Sequence, residues 1–398
     1  MDCLVKFCSD NYQNRLRLLA QARSERYEEA IDIYKELFVA HYNNIMKKCS
    51  NATCQNSESC LEIYNYLQKV EVKEINDFFD NLKNVYLRWI DADSINAIKE
   101  FENLLKKYNL LKNGITNDIS GMYFKGRVTT EILTKFDMFH IPFNKRYLIN
   151  NQRYSLTGQP LMYIGSSILD IVTELEASGD LENFQVSAIQ LPKDISLYDL
   201  RSNIYEELNR IEMNIMLGKT TVYHGANFLF RLILSSVCSF QKRKELKGFN
   251  FCEEYVISQI LAQIIKNNKY DGIIYYSTKR YENVEVKTNI LEYKENIALF
   301  TKNNNSHVYD YDLYKNLQIS VPINMKKIEK INESDIEEIK EEIGKLRNQE
   351  KIAKAEKLIV SFMRIYKNLK IDGKDYIKTE QGQLHMYHLF AILNQMLE

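Results

Sequence analysis

Glycine and proline are scarce in this chain, and both are absent from its first 113 residues. The 398 residues include 13 glycines and four prolines, and all of the prolines (Pro142, Pro160, Pro192 and Pro322) lie in the middle. Glycine and proline mark turns and are disfavoured inside helices. Their distribution therefore predicts a helical front, a mixed centre that contains strands, and a helical tail.

Net charge of either sign is also lacking, because 53 basic residues balance 53 acidic ones. Without an overall basic field, non-specific binding to nucleic acid or to anionic membranes is disfavoured. No segment approaches the roughly 20 apolar residues that span a bilayer. The first six residues show no signal-peptide pattern. We therefore predict a cytoplasmic protein that binds neither membrane nor nucleic acid.

The cysteines do not form a tight pattern. Seven cysteines, an odd number, do not predict a disulfide framework in a chain without a secretion signal. Cys3, Cys8, Cys49 and Cys54 form two C-x4-C pairs, and four thiolates could hold zinc. The gaps exceed the C-x2-C spacing of a zinc knuckle, and buried cysteines are common. We predict no metal site and keep zinc as the alternative.

Apolar residues recur at helical spacing in the front and in the tail. Ser334 and Glu337 resemble a capping box at the start of the tail series. We expect the tail helix to pack on its own domain rather than on a partner. The series are Ile31, Ile33, Tyr34, Leu37 and Phe38, then Ile98, Phe101, Leu104 and Leu105, and finally Ile336, Ile339, Ile343 and Leu346.

The centre contains short apolar runs that read as strands, with helices between them and without regular βαβ alternation. It contains no GxGxxG and no P-loop. The sequence thus predicts an α+β fold with a helical segment at 1–115, a mixed domain at 116–325 and a helical extension at 326–398. The predicted strands are 161–165, 184–191, 272–276, 296–300 and 318–323, and the predicted helices are 168–176 and 253–266.

Arginines, a tyrosine and a carboxylate are concentrated between residues 121 and 176. Arg127 and Arg153 come first, Tyr163 follows ten residues after Arg153, and Glu174 follows eleven residues later. Two guanidiniums can bind phosphates bidentately, and an aromatic ring can stack on a flat ring. A carboxylate stabilises developing positive charge. Together these residue types suit a dinucleotide such as NAD.

Several segments in this order resemble the RES domain over about residues 118–305. The resemblance is carried by the Arg127, Arg153, Tyr163 and Glu174 series and by four further segments. Those segments are Met138-Phe139-His140-Ile141-Pro142, Glu254-Tyr255-Val256-Ile257-Ser258-Gln259, Tyr270-Asp271-Gly272-Ile273-Ile274-Tyr275-Tyr276-Ser277 and Asn296-Ile297-Ala298-Leu299-Phe300.

The resemblance implies an NAD-degrading toxin of a bacterial toxin–antitoxin module, with a fold similar to that of ADP-ribosyltransferases. NAD would be the substrate, and no cofactor is implied. It implies Glu174, Arg153 and Tyr163 as catalytic residues, and Arg127, Ser277, Lys125, Tyr255 and Gln259 as substrate-binding residues. Where the family often has Arg-X-Arg, this chain has Lys125-Gly126-Arg127, and lysine lacks the bidentate fork.

The chemistry of NAD explains why a carboxylate is needed. The ring nitrogen of the nicotinamide group in NAD is already cationic, so nicotinamide can leave without a proton. What needs stabilisation is the positive charge that develops on the oxocarbenium-like ribose. Glu174 is the candidate, although Glu174 and Glu176 both flank the apolar stripe of the helix predicted from Ile168. Periodicity does not choose between them, and only the family spacing selects Glu174.

Two other functions remain open at this point. One keeps the site but transfers ADP-ribose to a macromolecule, and the other is a non-catalytic NAD-sensing module on a helical scaffold. An antitoxin or regulatory protein and a homo-oligomer are the predicted protein partners. His385 and His388 are predicted to pack on one helix face, and His140 to shape its loop.

Overall fold

The structure is a computed structural model, which describes residues 7, 15–48, 58–112, 114–115, 121–216, 228–243, 251–287, 291–303, 307–324, 328 and 331–397. The helices are α1 Arg15–Ala22, α2 Tyr27–Lys48, α3 Glu58–Leu67, α4 Val72–Ile90, α5 Ser94–Lys107, α6 Ile168–Glu174, α7 Ile204–Met216, α8 Phe228–Val237, α9 Val256–Asn267, α10 Tyr311–Asn316, α11 Glu333–Gly344, α12 Gln349–Asn368 and α13 Glu380–Leu397. The strands are β1 Gly114–Ile115, β2 Tyr123–Val128, β3 Leu161–Gly165, β4 Phe184–Gln190, β5 Leu197–Asp199, β6 Gly272–Tyr276, β7 Val284–Val286, β8 Glu295–Phe300, β9 Gln318–Ile319, β10 Ile323–Asn324, β11 Leu369–Ile371 and β12 Lys374–Asp375. Short 3₁₀ segments lie at Leu110–Lys112, Phe143–Leu148, Leu181–Asn183, Glu253–Tyr255, Glu292–Lys294 and Tyr376–Lys378.

The chain divides into two compact units. The first combines Met1–Gly114, Asn150–Thr157 and Asp199–Tyr270, and its described elements are helical. Tyr34 lies at its centre, where its ring meets Phe38, Phe79 and Phe240 edge-to-face at centroid distances of 6.0, 5.6 and 5.8 Å. Aromatic pairs prefer this geometry, so a few large rings hold the helices of this unit together.

The second unit combines Ile115–Ile149, Gly158–Tyr198 and Asp271–Glu398 around a sheet. The strand order is β1-β5-β6-β8-β3-β2-β4-β10, and β9 also pairs with β4. The central pairings are antiparallel, with Phe124 opposite Gly165, Gly165 opposite Asn296, and Asn296 opposite Tyr275. Directly opposed residues point to the same face of a sheet, so this register defines the two faces.

The C-terminal helices build the core on one face of that sheet. Phe124 of β2 packs there with Ile171 of α6, Phe362 of α12 and Leu389 of α13 in one buried cluster. The opposite face carries a second cluster that includes Tyr123, Met162 and Ile297. The 326–398 segment therefore supplies much of the hydrophobic core of this unit.

A small second sheet joins the C-terminal segment to the chain that follows β6. Strand β7 pairs antiparallel with β11, which pairs in turn with β12. Tyr281, just before β7, packs on a buried cluster that includes Leu369 and Tyr376. The chain after Ser277 is thus held by residues from the end of the sequence.

The α+β prediction is confirmed. The prediction of an all-α tail is wrong in part, because β11 and β12 interrupt its helices and pair with β7. The prediction of one continuous strand at 318–323 is wrong. The segment forms two strands, β9 and β10, which are separated around Pro322, because proline cannot donate a hydrogen bond to a ladder. The Ser334–Glu337 capping box is also wrong. Helix α11 begins at Glu333, and Asn332 forms the box with Asp335, two residues earlier than expected. Strand β2 was not predicted, because Lys125 and Arg127 interrupt its apolar pattern.

The three-part division at residues 115 and 325 concerns which segments act on their own, and it stays a prediction. The predicted cytoplasmic location likewise stays a prediction. No helix within the described ranges is both long and apolar enough to cross a bilayer.

Candidate active site around Glu174

Helix α6 places Glu174 at its last residue. The helix begins after Ser167, whose Oγ accepts the N–H of Asp170 at 3.0 Å and donates to the carbonyl of Tyr293 at 2.6 Å. This N-cap bond satisfies a backbone N–H that would otherwise lack a partner and ties the helix start to the chain before β8. Ile171 and Val172 bury the sheet-facing stripe. The start and packing of the helix thereby determine where Glu174 lies.

The Glu174 carboxylate is held by two side-chain donors. Its Oε1 accepts the hydroxyl of Ser277 at 2.5 Å and the Nδ2–H of Asn296 at 3.0 Å. Among the described residues, Oε2 accepts no hydrogen bond. Glu174 itself is half-buried, whereas Ser277 and Asn296 are buried. One oxygen is therefore fixed while the other is available to a ligand.

Two sheet strands position these donors. Ser277 directly follows β6, where its N–H donates to the carbonyl of Lys294 at 2.8 Å, and its Oγ accepts the N–H of Lys279 at 3.2 Å. Asn296 lies on β8 and faces the same side as Gly165 and Tyr275. Backbone hydrogen bonds anchor the two residues that carry these donors. The short side chains of Ser277 and Asn296 therefore reach Glu174 from fixed positions.

Asp170 lies one turn before Glu174 on the same helix and is fully buried. Tyr281 donates its hydroxyl to Oδ1 of Asp170. Burial raises the pKa of Asp170 well above its usual range, and the nearby Glu174 carboxylate raises it further. Gly165 makes room for the group, because a Cβ at that position would lie 2.5 Å from Oδ2 of Asp170.

Glu176 has a different environment from Glu174. It lies beyond the end of α6 with φ 53°, it is exposed, and its carboxylate pairs with Lys279 at 3.0 Å. An exposed pair of this kind contributes little stability. The structure therefore distinguishes the two glutamates that periodicity left equivalent.

Tyr163 shares the sheet face of Glu174 and its donors. It lies on β3 opposite Ala298 of β8, two residues from Gly165 on the same face, and it is half-buried. Tyr163 is thus the predicted aromatic residue that the structure places on the Glu174 side of the sheet.

Lys125 and Arg127 project from the opposite face. They alternate with Phe124 and Gly126 along β2, and Phe124 faces α6. Lys125 donates its Nζ–H to the carbonyl of Phe139 at 2.7 Å. Burial of its amine and the nearby Arg127 lower the pKa of Lys125 to about 7. The structure does not bring these two cations together with Glu174.

Arg153, Tyr255 and Gln259 belong to the first unit. The Nη1 of Arg153 donates to the carbonyls of Cys238 and Phe240 at 2.7 and 2.9 Å, and its guanidinium lies 4.7 Å from the ring centroid of Tyr255. Gln259 donates to the carbonyls of Gln152 and Ser155 and to Asn151. Tyr255 and Gln259 therefore contact Arg153 and the short segment that carries it.

The predictions for the histidines agree with the structure. His385 and His388 are buried on α13, where their rings meet Phe124 edge-to-face. The Nε2 of His140 accepts the N–H of Asp310 at 2.9 Å, and its Nδ1 donates to the carbonyl of Ile141 at 2.8 Å, so His140 shapes its loop.

Cys3, Cys8, Cys49 and Cys54 lie outside the described residues. Within the described ranges, no cluster of three or more metal-ligating side chains is present.

Asp170 and Tyr281 were not predicted as site residues, and Asn296 was noted only within a strand segment. The signal for Asp170 was available in its four-residue spacing from Glu174, which places two carboxylates on one helix face. No local signal marked Tyr281 or Asn296, because their contacts with α6 join segments more than 100 residues apart.

Comparisons with known proteins show one clear sequence relative. The chain is 29% identical over 256 residues to "Putative toxin YopC" of Bacillus subtilis (strain 168), covering 63% of this chain and 56% of that protein. The chain thus spans about half the length of this relative. The chain matches no protein-family profile. A solved structure, the M. tuberculosis MbcT–MbcA toxin–antitoxin complex, aligns with 55% of this chain and 90% of that chain at 11% identity. Its TM-score is 0.29, a level that carries no argument about the fold.

Proposed function

We propose that this chain cleaves the nicotinamide–ribose bond of NAD⁺ and acts as a toxin. The observation that supports the cleavage most directly is the geometry of Glu174. One carboxylate oxygen is held by Ser277 and Asn296, and the other accepts no hydrogen bond within the described part of the chain. A preorganised carboxylate with one available oxygen suits the stabilisation of an oxocarbenium-like ribose.

The proposed reaction needs no general acid. The bond between the anomeric carbon and the pyridinium nitrogen breaks, and its electron pair leaves with neutral nicotinamide. Glu174 stabilises the positive charge that develops on the ribose and accepts a hydrogen bond from a ribose hydroxyl. Attack by water then gives ADP-ribose and a proton, whereas attack by phosphate gives a phosphorylated ADP-ribose.

The roles of the other residues are proposed from their side-chain chemistry. Tyr163, on the same sheet face, stacks on a ring of the substrate. Arg153 binds the pyrophosphate, and Tyr255 and Gln259 act by holding the segment that carries it. Arg127 and Lys125 remain predicted NAD ligands. The register of β2 gives that prediction no support, because it places them on the opposite face from Glu174.

The toxin half of the proposal is supported by the sequence likeness to the Bacillus subtilis protein, whose name describes a toxin. NAD⁺ is a cytoplasmic metabolite, so we place the activity there. A protein antitoxin is the partner we expect, because a toxin of this kind must be held inactive in its own host. We assign the chemistry to residues 116–325 and regulation or antitoxin binding to residues 1–115.

The decisive experiment measures NAD⁺ turnover by the purified full chain, with and without phosphate, beside two variants. Glu174→Gln removes the charge but keeps the shape, and we expect kcat to fall by about 10²- to 10³-fold. Glu176→Gln is the matched control, because Glu176 lies two residues away, exposed and paired with Lys279. This control should retain wild-type turnover.

The products identify the acceptor. Free ADP-ribose indicates water, and a phosphorylated product that requires phosphate indicates phosphorolysis. Covalent labelling of macromolecules by radiolabelled NAD⁺ would instead indicate an ADP-ribosyltransferase. Binding without turnover by the wild-type chain would replace the enzyme with an NAD-sensing module. Equal activity in the wild type and in Glu174→Gln would remove Glu174 from the mechanism.

A further inference from the structure

We propose that Asp170, held in its protonated form and bonded by the Tyr281 hydroxyl, is a positioning residue that leaves the Ser277 hydroxyl to Glu174 alone. The proposal deepens the proposed function, on which it rests for its catalytic part. Its structural part stands without any assumption about NAD.

The contacts of Asp170 are those of a neutral acid rather than of a paired carboxylate. The residue is fully buried, and Oδ1 accepts the Tyr281 hydroxyl. Its Oδ2 is buried and has no hydrogen-bond partner within the described part of the chain. No arginine or lysine forms an ion pair with it in that part of the chain. A buried ionised carboxylate without a cation costs far more free energy than a buried neutral acid.

The groups around Asp170 favour its proton. Glu174, four residues on along α6, is a like charge, and burial is the larger effect on the pKa of Asp170. The Tyr281 hydroxyl lowers that pKa by hydrogen bonding, and Lys294 lowers it at longer range. The ring of Tyr293 meets that of Tyr281 at a centroid distance of 5.3 Å, and burial, followed by Asp170, raises the pKa of Tyr293. The effect of Lys294 does not outweigh that of burial.

The Ser277 hydroxyl donates to Glu174 and not to Asp170, whose Oδ2 has no partner within the described part of the chain. This choice is the one expected if Asp170 is neutral, because the hydroxyl then has one anion to serve. An ionised Asp170 would be a second anion that competes for the hydroxyl, and it would repel the Glu174 charge.

The first test uses unfolding equilibria and needs no substrate. A group whose folded pKa is raised favours folding below its unfolded pKa of about 4, and this advantage is lost as pH rises toward the folded pKa. Asp170→Asn mimics the neutral acid and lacks this dependence. We expect the ratio of the wild-type unfolding constant to that of Asp170→Asn to rise about tenfold per pH unit above pH ~4.

The same measurement tests the coupling to Glu174. In the Glu174→Gln background, the repelling charge is gone, so the pH dependence caused by Asp170 should end at a lower pH. Stability curves of wild type and Asp170→Asn that run parallel across pH 4–9 would overturn the protonated form. A dependence that ends at the same pH in both backgrounds would overturn the coupling.

The catalytic part is tested by NAD⁺ turnover in Asp170→Asn and Asp170→Ala. We expect the asparagine variant to keep kcat within about threefold, because it can still accept the Tyr281 hydroxyl. The alanine variant should lose kcat by about 10- to 100-fold with little change in KM, because Glu174 is displaced rather than removed. Equal losses in both variants would overturn positioning by a neutral acid. A wild-type chain without turnover would refute the proposed function and the catalytic role together, while the stability test still decides the protonation.

Discussion

Gly165 is the position where a single methyl group should disturb the site most selectively. A Cβ placed there would lie 2.5 Å from Oδ2 of Asp170, 2.8 Å from Cδ1 of Ile171 and 2.9 Å from Oδ1 of Asn296. An ordinary contact begins at 3.4 Å, so the closest atom must retreat by about 0.9 Å. Two of the three neighbours belong to α6, and the third holds Glu174.

We therefore expect Gly165→Ala to push α6 away from β3 by an appreciable part of 1 Å. Overpacking of this kind costs about 1–3 kcal/mol, which exceeds the ~0.4–1 kcal/mol that alanine contributes by restricting the unfolded chain. In a unit of roughly 150–250 residues this lowers Tm by about 2–4 °C per kcal/mol. A shift of Glu174 approaching 1 Å should lower NAD⁺ turnover by about 100-fold.

The assay compares thermal unfolding and turnover in Gly165→Ala and Gly179→Ala. A Cβ at Gly179 meets nothing within 4 Å, so this control should be as stable as wild type or slightly more stable. The reasoning is refuted if Gly165→Ala is as stable as Gly179→Ala. A destabilised Gly165→Ala with full turnover would separate the packing of α6 from catalysis.

Two further predictions concern the C-terminal segment. Burial lowers the pKa of His385 to about 3 and that of His388 to about 4, so both stay neutral in the fold but gain a proton on unfolding below pH ~6.5. Stability should be complete above that pH and should fall by roughly 2 kcal/mol for each histidine at pH 5. A variant with glutamine at both positions should lose less stability between pH 7 and 5 in chemical unfolding, and unchanged acid sensitivity would contradict this. A chain that ends at residue 325 lacks the core residues of α11–α13 and the partner of β7, so its sheet unit should lose its cooperative transition while the helical unit keeps its own. A monomeric fragment that keeps a cooperative transition of the sheet unit and turns over NAD⁺ would show that the extension is dispensable.

Most secondary structure could be predicted because it depends on local patterns. The strands Leu161–Gly165 and Gly272–Tyr276 have the predicted bounds, since each is a short apolar run with turn residues nearby. The start of α11 could not be separated from Ser334, because Asn332 and Asp335 have equally good capping chemistry at the same spacing. Strand β2 was missed because its two cations, Lys125 and Arg127, hide the alternation of its apolar residues.

The candidate site could be predicted only in part. The spacing of Arg153, Tyr163 and Glu174 selected a carboxylate by family resemblance, and the structure gives Glu174 a set of donors that Glu176 lacks. The sequence did not show which cations lie on the same side of the sheet as Glu174. Arg127 looked equivalent to Arg153, yet the register of β2 places Arg127 across the sheet from Glu174. A shift of one residue along a strand reverses its face, so composition alone cannot decide such a question.

The sequence by itself determined the α+β class, the helical ends and the short list of residues with suitable chemistry, because these follow from local propensity and side-chain type. Only the tertiary structure decided that Ser277 and Asn296 hold Glu174, and that Asp170 and Tyr281 lie behind them. It also decided that the last helices complete the core on which α6 rests. These contacts join residues more than 100 positions apart, and they exist only where strand register and helix packing bring the segments together.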